Sequence, residues 1–211
     1  MSLAREKQLK LEHDLVRTLL RHATHQHHVQ LNKHRLLAGL TGAAYSLEDY
    51  QQLLLAYHHI YQLLEERIDQ FVGTHACPFD YAPRRKSPWL ERDIAFFGRT
   101  SLAKHHLPPP GALRLPDIGD VGQLTGVLYV IEGSTLGGQL ISGRLAENHG
   151  LTSSGGACFF SGYGEQTAAM WQDFISFSET ISGDAAHCRT AIDSACQTFQ
   201  SFTRVLDHYA Y

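Results

Sequence analysis

Several things are scarce or missing in this chain, and each absence removes a class of function. No uninterrupted apolar run approaches the roughly 20 residues that a membrane-crossing helix needs. The first residues, MSLAREKQLKLEHD, are charged throughout and lack the apolar centre of a signal peptide, so a cytoplasmic location without a membrane partner is expected. Basic residues are few and scattered: 18 Lys and Arg against 21 Asp and Glu give a net charge of −3, with no stripe to track a phosphate backbone. A nucleic-acid partner is therefore not expected. Only four cysteines are present, Cys77, Cys158, Cys188 and Cys196, with no CxxC pair among them, so buried thiols are expected rather than disulfides or a zinc site. No stretch alternates apolar and polar residues for long enough to argue a strand. No GxGxxG fingerprint follows a strand, so nicotinamide and flavin are not resident cofactors.

What remains is helical. With 211 residues, 43% of them hydrophobic, the chain suits one domain over 1–211. Apolar residues Leu11, Leu15, Leu19, Ala23 and Val29 recur at three-and-four spacing and predict a helix from about Leu3 to His34 with that side buried. Ser46, with Asp49 three positions on, reads as an N-cap opening a second helix that runs to about Phe71. A short helix is predicted over Ser87–Phe97. Lys104–Asp120, which holds Pro108, Pro109, Pro110 and Pro116, reads as a stiff connector. Val121–Asn148 is predicted helical and closed by Gly150, "CFFSGYG" forms a glycine-bracketed loop, and two last helices cover about Gln166–Ser178 and Asp184–Tyr209. The fold class expected is an all-α, multi-helical bundle.

Two features stand out against this background. One is "LYVIEGSTLGGQLISGR", Leu128 to Arg144, a helix interior carrying Gly133, Gly137 and Gly138, with Gly126 before them. Each costs about 1 kcal/mol of helix stability relative to alanine. At 100° per residue Gly126, Gly133 and Gly137 share one face, extended by Gly122 and Arg144. Bare backbone on that face serves either close helix packing or a broad flat ligand, and the doubled Gly137–Gly138 invites a kink. The other feature is histidine, 14 in all, clustered at His22, His25, His27 and His28. These could be solvated, could hold zinc through the 22/25 or 25/28 pairs, or could supply one axial ligand to a metal inside a planar ligand. His27 lies nearer the apolar stripe. His28 shares another stripe with Arg21, Thr24 and Leu31, and Arg21 stands two turns, about 10 Å, away on the same side. That pair suits a metal ligand and a carboxylate clamp for one extended molecule.

The stretch "LRHATHQHHVQL", Leu20 to Leu31, resembles the proximal helix of heme oxygenases, and "EGSTLGGQ", Glu132 to Gln139, resembles their distal helix. "SLEDYQQLLLAYHHIYQLLE" is similar to the second helix of the bacterial, biliverdin-producing members, and "FFSGYG" to the loop before their C-terminal helices. The resemblance spans most of the chain in family order. It implies a heme oxygenase-like bundle in which His28 is the axial ligand, Arg21 pairs with a heme propionate, and Gly133, Gly137 and Gly138 line the heme from the distal side. The activity implied is O2- and electron-dependent cleavage of heme, both substrate and cofactor, to biliverdin, carbon monoxide and ferrous iron. Electrons would come from an external donor: a ferredoxin, a flavoprotein reductase or ascorbate. Two departures from the animal enzymes are visible. Ser134 stands where they carry an aspartate that orders water, and a hydroxyl supplies no fixed negative charge. Gln172 stands near where they place a second pair of basic residues. Two alternatives accompany this reading: a protein that binds or transfers heme without degrading it, and another enzyme on the same helical fold, such as a thiamin-degrading hydrolase using Cys158 or core carboxylates.

Overall fold

The computed structural model describes residues 15–98 and 113–210. Seven α-helices carry the chain there: α1 (Leu15–Asn32), α2 (Leu47–Thr74), α3 (Ser87–Phe96), α4 (Val121–His149), the single turn α5 (Cys158–Ser161), α6 (Thr167–Ser178) and α7 (Ala185–Tyr209). No strand occurs among the described residues, and no helix is long and apolar enough to cross a membrane. The predicted start of the first helix, Leu3 to Asp14 with Leu11, and the proline run Pro108 to Pro110 lie outside the described residues.

Helix ends follow local chemistry. Ser46 caps α2: its Oγ accepts the Asp49 amide at 3.0 Å and donates to the Asp49 carboxylate at 3.0 Å. Asp120 caps α4 by accepting the Gln123 amide at 2.8 Å, and Gly150 ends it at φ +67°, its amide turned back to Leu145 and Ala146 carbonyls. Asp184 caps α7 through the amides of Ala186 and His187. Within "CFFSGYG", read as a loop, Cys158–Ser161 makes one helical turn because Asp93, 1% exposed, accepts the amides of both Cys158 and Phe159.

The α1 stripe differs from the expected one. Val16, Leu20, Thr24 and Leu31 are buried, whereas Leu15, Leu19 and Val29 are exposed. The helix is apolar on two adjacent sides, and its packing partners choose between them. α7 and the turn Glu179–Ile181 pack on α1, and the Val16 amide donates to the Glu179 carboxylate at 3.1 Å.

α4 and α7 share the most extensive contact in the bundle. A Cβ built on Gly122 would lie 2.3 Å from the His187 carbonyl oxygen, and one on Gly126 would lie 2.2 Å from that of Ala191. Helix packing therefore accounts for the first half of the glycine face. Gly138 sits on another side, where a Cβ would come 2.6 Å from the Phe160 carbonyl oxygen. Gly137 meets nothing within 4 Å. The helix runs unbroken through Gly137 and Gly138 from Val121 to His149.

A buried ionic cluster holds the middle of α4. Glu132, 1% exposed, accepts Arg84 at 2.8 Å, Lys86 Nζ, and the Tyr163 hydroxyl at 3.0 Å. Arg84 also reaches Asp173 and the Met170 carbonyl on α6. Burial pulls the Lys86 ammonium pKa down and the Glu132 carboxylate opposes it. Glu65, 2% exposed, accepts the Lys86 amide at 2.6 Å and the Tyr81 hydroxyl at 3.2 Å. Removing one partner of such a set strands the others without water.

Unfolding by denaturant tests these placements. Gly126→Ala is expected to lose about 2 kcal/mol through overpacking against backbone, and Gly137→Ala to gain up to about 1 kcal/mol from helix propensity. Equal effects would contradict the two-part glycine face. Glu132→Ala is expected to lose about 3–5 kcal/mol, and a loss below about 1 kcal/mol would contradict the buried cluster.

Candidate functional site

A cavity of about 720 Å³ opens between α1 and the middle of α4, within the roughly 300–1,000 Å³ typical of cofactor-sized pockets. From α1 it is lined by Arg17, Arg21, Thr24, His25 and His28, and from α4 by Tyr129, Gly133, Ser134 and Gly137. Aromatic residues close the floor: Tyr57 and Tyr61 from α2, Phe159 and Phe160 from α5, and Phe199 and Phe202 from α7. Leu136, Leu140 and Ile141 form an apolar rim. The cavity thus brings Arg21 and His28 together with Gly133, Ser134 and Gly137, two stretches more than 100 positions apart in sequence.

Gly138 is the predicted site residue that the cavity excludes. At 100° from Gly137 it turns to Phe160, so its missing side chain serves packing of α5 and not the cavity wall. Gly133 lies beneath Trp171, whose ring would be 3.6 Å from a Cβ there. Trp171, not Gln172, faces the cavity from α6; Gln172 is exposed.

Of the four clustered histidines, His25 and His28 line the cavity while His22 and His27 do not. The His28 ring stands edge-on to Phe199 at 5.9 Å, and its Nε2 is 3.4 Å from the Asn32 amide nitrogen. Partial burial beside the aromatic floor lowers the His28 pKa, and the neighbouring His25 lowers it further. A lowered pKa keeps this imidazole neutral, with a lone pair available to a metal. Among the described residues no group of three His, Cys, Asp or Glu gathers to hold a metal ion. A single imidazole fits a metal whose other ligands arrive with it.

The electrostatics of the cavity are one-signed. No Asp or Glu lines it among the described residues, whereas Arg17 and Arg21 stand one turn apart at its mouth. Among the described residues Arg21 has no hydrogen bond or ion pair, which leaves its fork open to a carboxylate. Tyr129 beside them has its pKa raised by burial, offset by the Thr24 hydroxyl and by the Arg21 and Arg17 charges. On the other wall Ser134 Oγ donates to the Ile131 carbonyl at 2.9 Å, so the Tyr61 hydroxyl, 3.1 Å away, donates to Ser134. Burial raises the Tyr61 pKa, and this phenol stays protonated.

A cysteine nucleophile finds no support here. Burial raises the Cys158 pKa, the residue does not line the cavity, and all four cysteines are free thiols. The buried carboxylates Glu65 and Glu132 are likewise held by their cationic and phenolic neighbours outside the cavity.

The sequence reading missed Tyr57, Tyr61, Tyr129, Trp171, Phe199 and Phe202. One signal was available: the i, i+4 tyrosine pair 57/61 and the i, i+4 arginine pair 17/21 each present two like side chains to one side of a helix.

Residues with a bare backbone wall, one neutral imidazole opposite and an unpaired arginine at the mouth fit a flat, metal-bearing dianion such as heme. Comparison with known proteins agrees. The profile of the Heme oxygenase family matches residues 15–208. A heme oxygenase of Xanthomonas campestris pv. campestris (strain 8004) is 28% identical over 156 residues, 74% of this chain and 87% of that protein. In fold, the chain is similar to a heme oxygenase from Leptospira interrogans, with a TM-score of 0.77 at 17% identity, covering 91% of this chain and 98% of that one. The chain belongs to the heme oxygenase family.

Proposed function

We propose that the chain is a biliverdin-producing heme oxygenase of the cytoplasm, converting heme, O2 and externally supplied electrons to biliverdin, carbon monoxide and ferrous iron. The observation that carries this reading is the facing of His28 on α1 and the side-chain-free backbone at Gly133 and Gly137 on α4 across one cavity. Bound heme supplies the iron at which oxygen is activated and the ring that is opened. His28 would hold the iron through a neutral imidazole, which is less electron-donating than a thiolate. Arg21, exposed at the mouth, would hold a propionate. Gly133 and Gly137 would leave room for the ring beside helix backbone, with Trp171 next to Gly133. The Tyr61–Ser134 pair provides a neutral hydroxyl relay on the same wall, in the position where a fixed carboxylate is absent. The aromatic floor excludes water from the inner edge. Electrons arrive from a ferredoxin, a flavoprotein reductase or ascorbate.

That no carboxylate lines the cavity among the described residues favours one second reading, a protein that holds heme without turning it over. Addition of ascorbate or a reductase system to the hemin complex separates the two. Loss of the Soret band with the appearance of a bilin supports the oxygenase, and stable heme supports the carrier. His28→Ala is expected to weaken hemin binding and abolish turnover; wild-type activity in that variant contradicts the ligand assignment. Gly137→Leu is expected to bind hemin at least tenfold more weakly, or with a shifted spectrum, because a side chain enters the ring plane.

The pH dependence has a definite sign. His28 has a lowered pKa, so hemin binding should persist through pH 6.5, the ordinary histidine value, and fall only as the pH drops below it. His25→Ala removes a charge that lowers this pKa, and hemin should then be lost at a higher pH. A loss that moves to lower pH in that variant would contradict the coupling.

A further inference from the structure

The cavity floor carries one polar atom that the protein leaves unused. Tyr57 and Tyr61, one turn apart on α2, meet edge-on with ring centroids 6.2 Å apart. Phe159 and Phe202 each close on both rings at 5.4–5.6 Å. Phenylalanine would pack as well at either position, so a hydroxyl in this setting disfavours the site unless it is bonded. Tyr61 meets that condition through Ser134. Tyr57 does not: among the described residues its hydroxyl has no hydrogen-bond partner, and it is not sealed away, because the residue is only partly buried and lines the cavity. Burial raises its pKa, so the group is a phenol and a donor.

A donor left open to the cavity among the aromatic side chains of the floor calls for an acceptor brought by a ligand. Heme cannot supply one there, since the porphyrin edge away from its two carboxylates is carbon and hydrogen, and the arginines that suit those carboxylates lie at the mouth. The ring-opened product can. Excision of one bridging carbon leaves two lactam carbonyl oxygens at the opened edge.

We propose that Tyr57 is a product-recognising residue whose hydroxyl donates a hydrogen bond to a lactam carbonyl of the bilin formed in this cavity. The inference rests on the heme reading given above, and it makes the ring edge lying on the floor the edge that is opened. The hydroxyl acts with opposite sign on the two ligands. Against heme it exchanges water for a C–H edge, and against bilin it exchanges water for a carbonyl.

Equilibrium binding of hemin and of biliverdin, without reductant, tests this in the wild type and in Tyr57→Phe. Quenching of tryptophan fluorescence reports occupancy, with Trp171 in the cavity wall as the reporter. Tyr57→Phe is expected to bind biliverdin about fivefold to tenfold more weakly and hemin equally or more tightly. An unchanged biliverdin affinity overturns the inference, as does a parallel loss for both ligands, which would report disturbed floor packing. A wild type that binds hemin but no biliverdin also overturns it. A wild type that binds no hemin overturns the heme reading itself, and this inference with it.

Discussion

One helix face without side chains governs both the packing and the cavity of this protein. In the first half of α4 the bare face admits α7 so closely that a methyl group at Gly126 would sit 2.2 Å from a carbonyl oxygen. That contact fixes α4 against the bundle. From Gly133 onward the same face opens onto the cavity, with nothing within 4 Å of a Cβ at Gly137. The glycines weaken α4 as a helix, and tertiary contacts offset the weakness: α7 on one side, Phe160 on another, and the Glu132–Arg84–Lys86 cluster on a third.

Charge is distributed to match. The buried carboxylates Glu132, next to Gly133 in sequence, and Glu65 on α2 are turned into the core and bonded to arginine, lysine and tyrosine. Among the described residues the cavity is left with fixed positive charge only, at Arg17 and Arg21. A cavity of one sign with an aromatic floor selects a ligand that is anionic at one end and apolar at the other. The same burial that makes the floor apolar keeps His28 neutral and holds Tyr57 and Tyr61 as phenols.

Much of this was legible in the sequence where the signal is local. Ser46 with Asp49, and Gly150 after a long periodic run, marked helix ends that the structure places within a few residues. The all-α architecture followed from periodicity and from the lack of alternation. The stripe of Gly126, Gly133 and Gly137 was legible as a face, but its division between packing and cavity was not, because that depends on where α7 ends its contact. Gly138 was grouped with its neighbour although one residue turns the helix by 100°. On α1, two adjacent apolar sides competed, and α7 chose Val16 and Leu20 over Leu15 and Leu19. His28 was singled out among four histidines by resemblance rather than by spacing; His25 shares its cavity. The buried cluster escaped notice because Arg84 and Lys86 lie 48 and 46 residues from Glu132, a separation with no local signature.

The central claim is that a porphyrin is gripped between the imidazole at position 28 and the backbone at Gly133 and Gly137. A crystal structure of the hemin complex tests it most directly. The account predicts iron bonded to His28, the ring against the α4 glycines and the carboxylates at the Arg17–Arg21 mouth. Iron bonded to His25, or hemin bound outside this cavity, would contradict it.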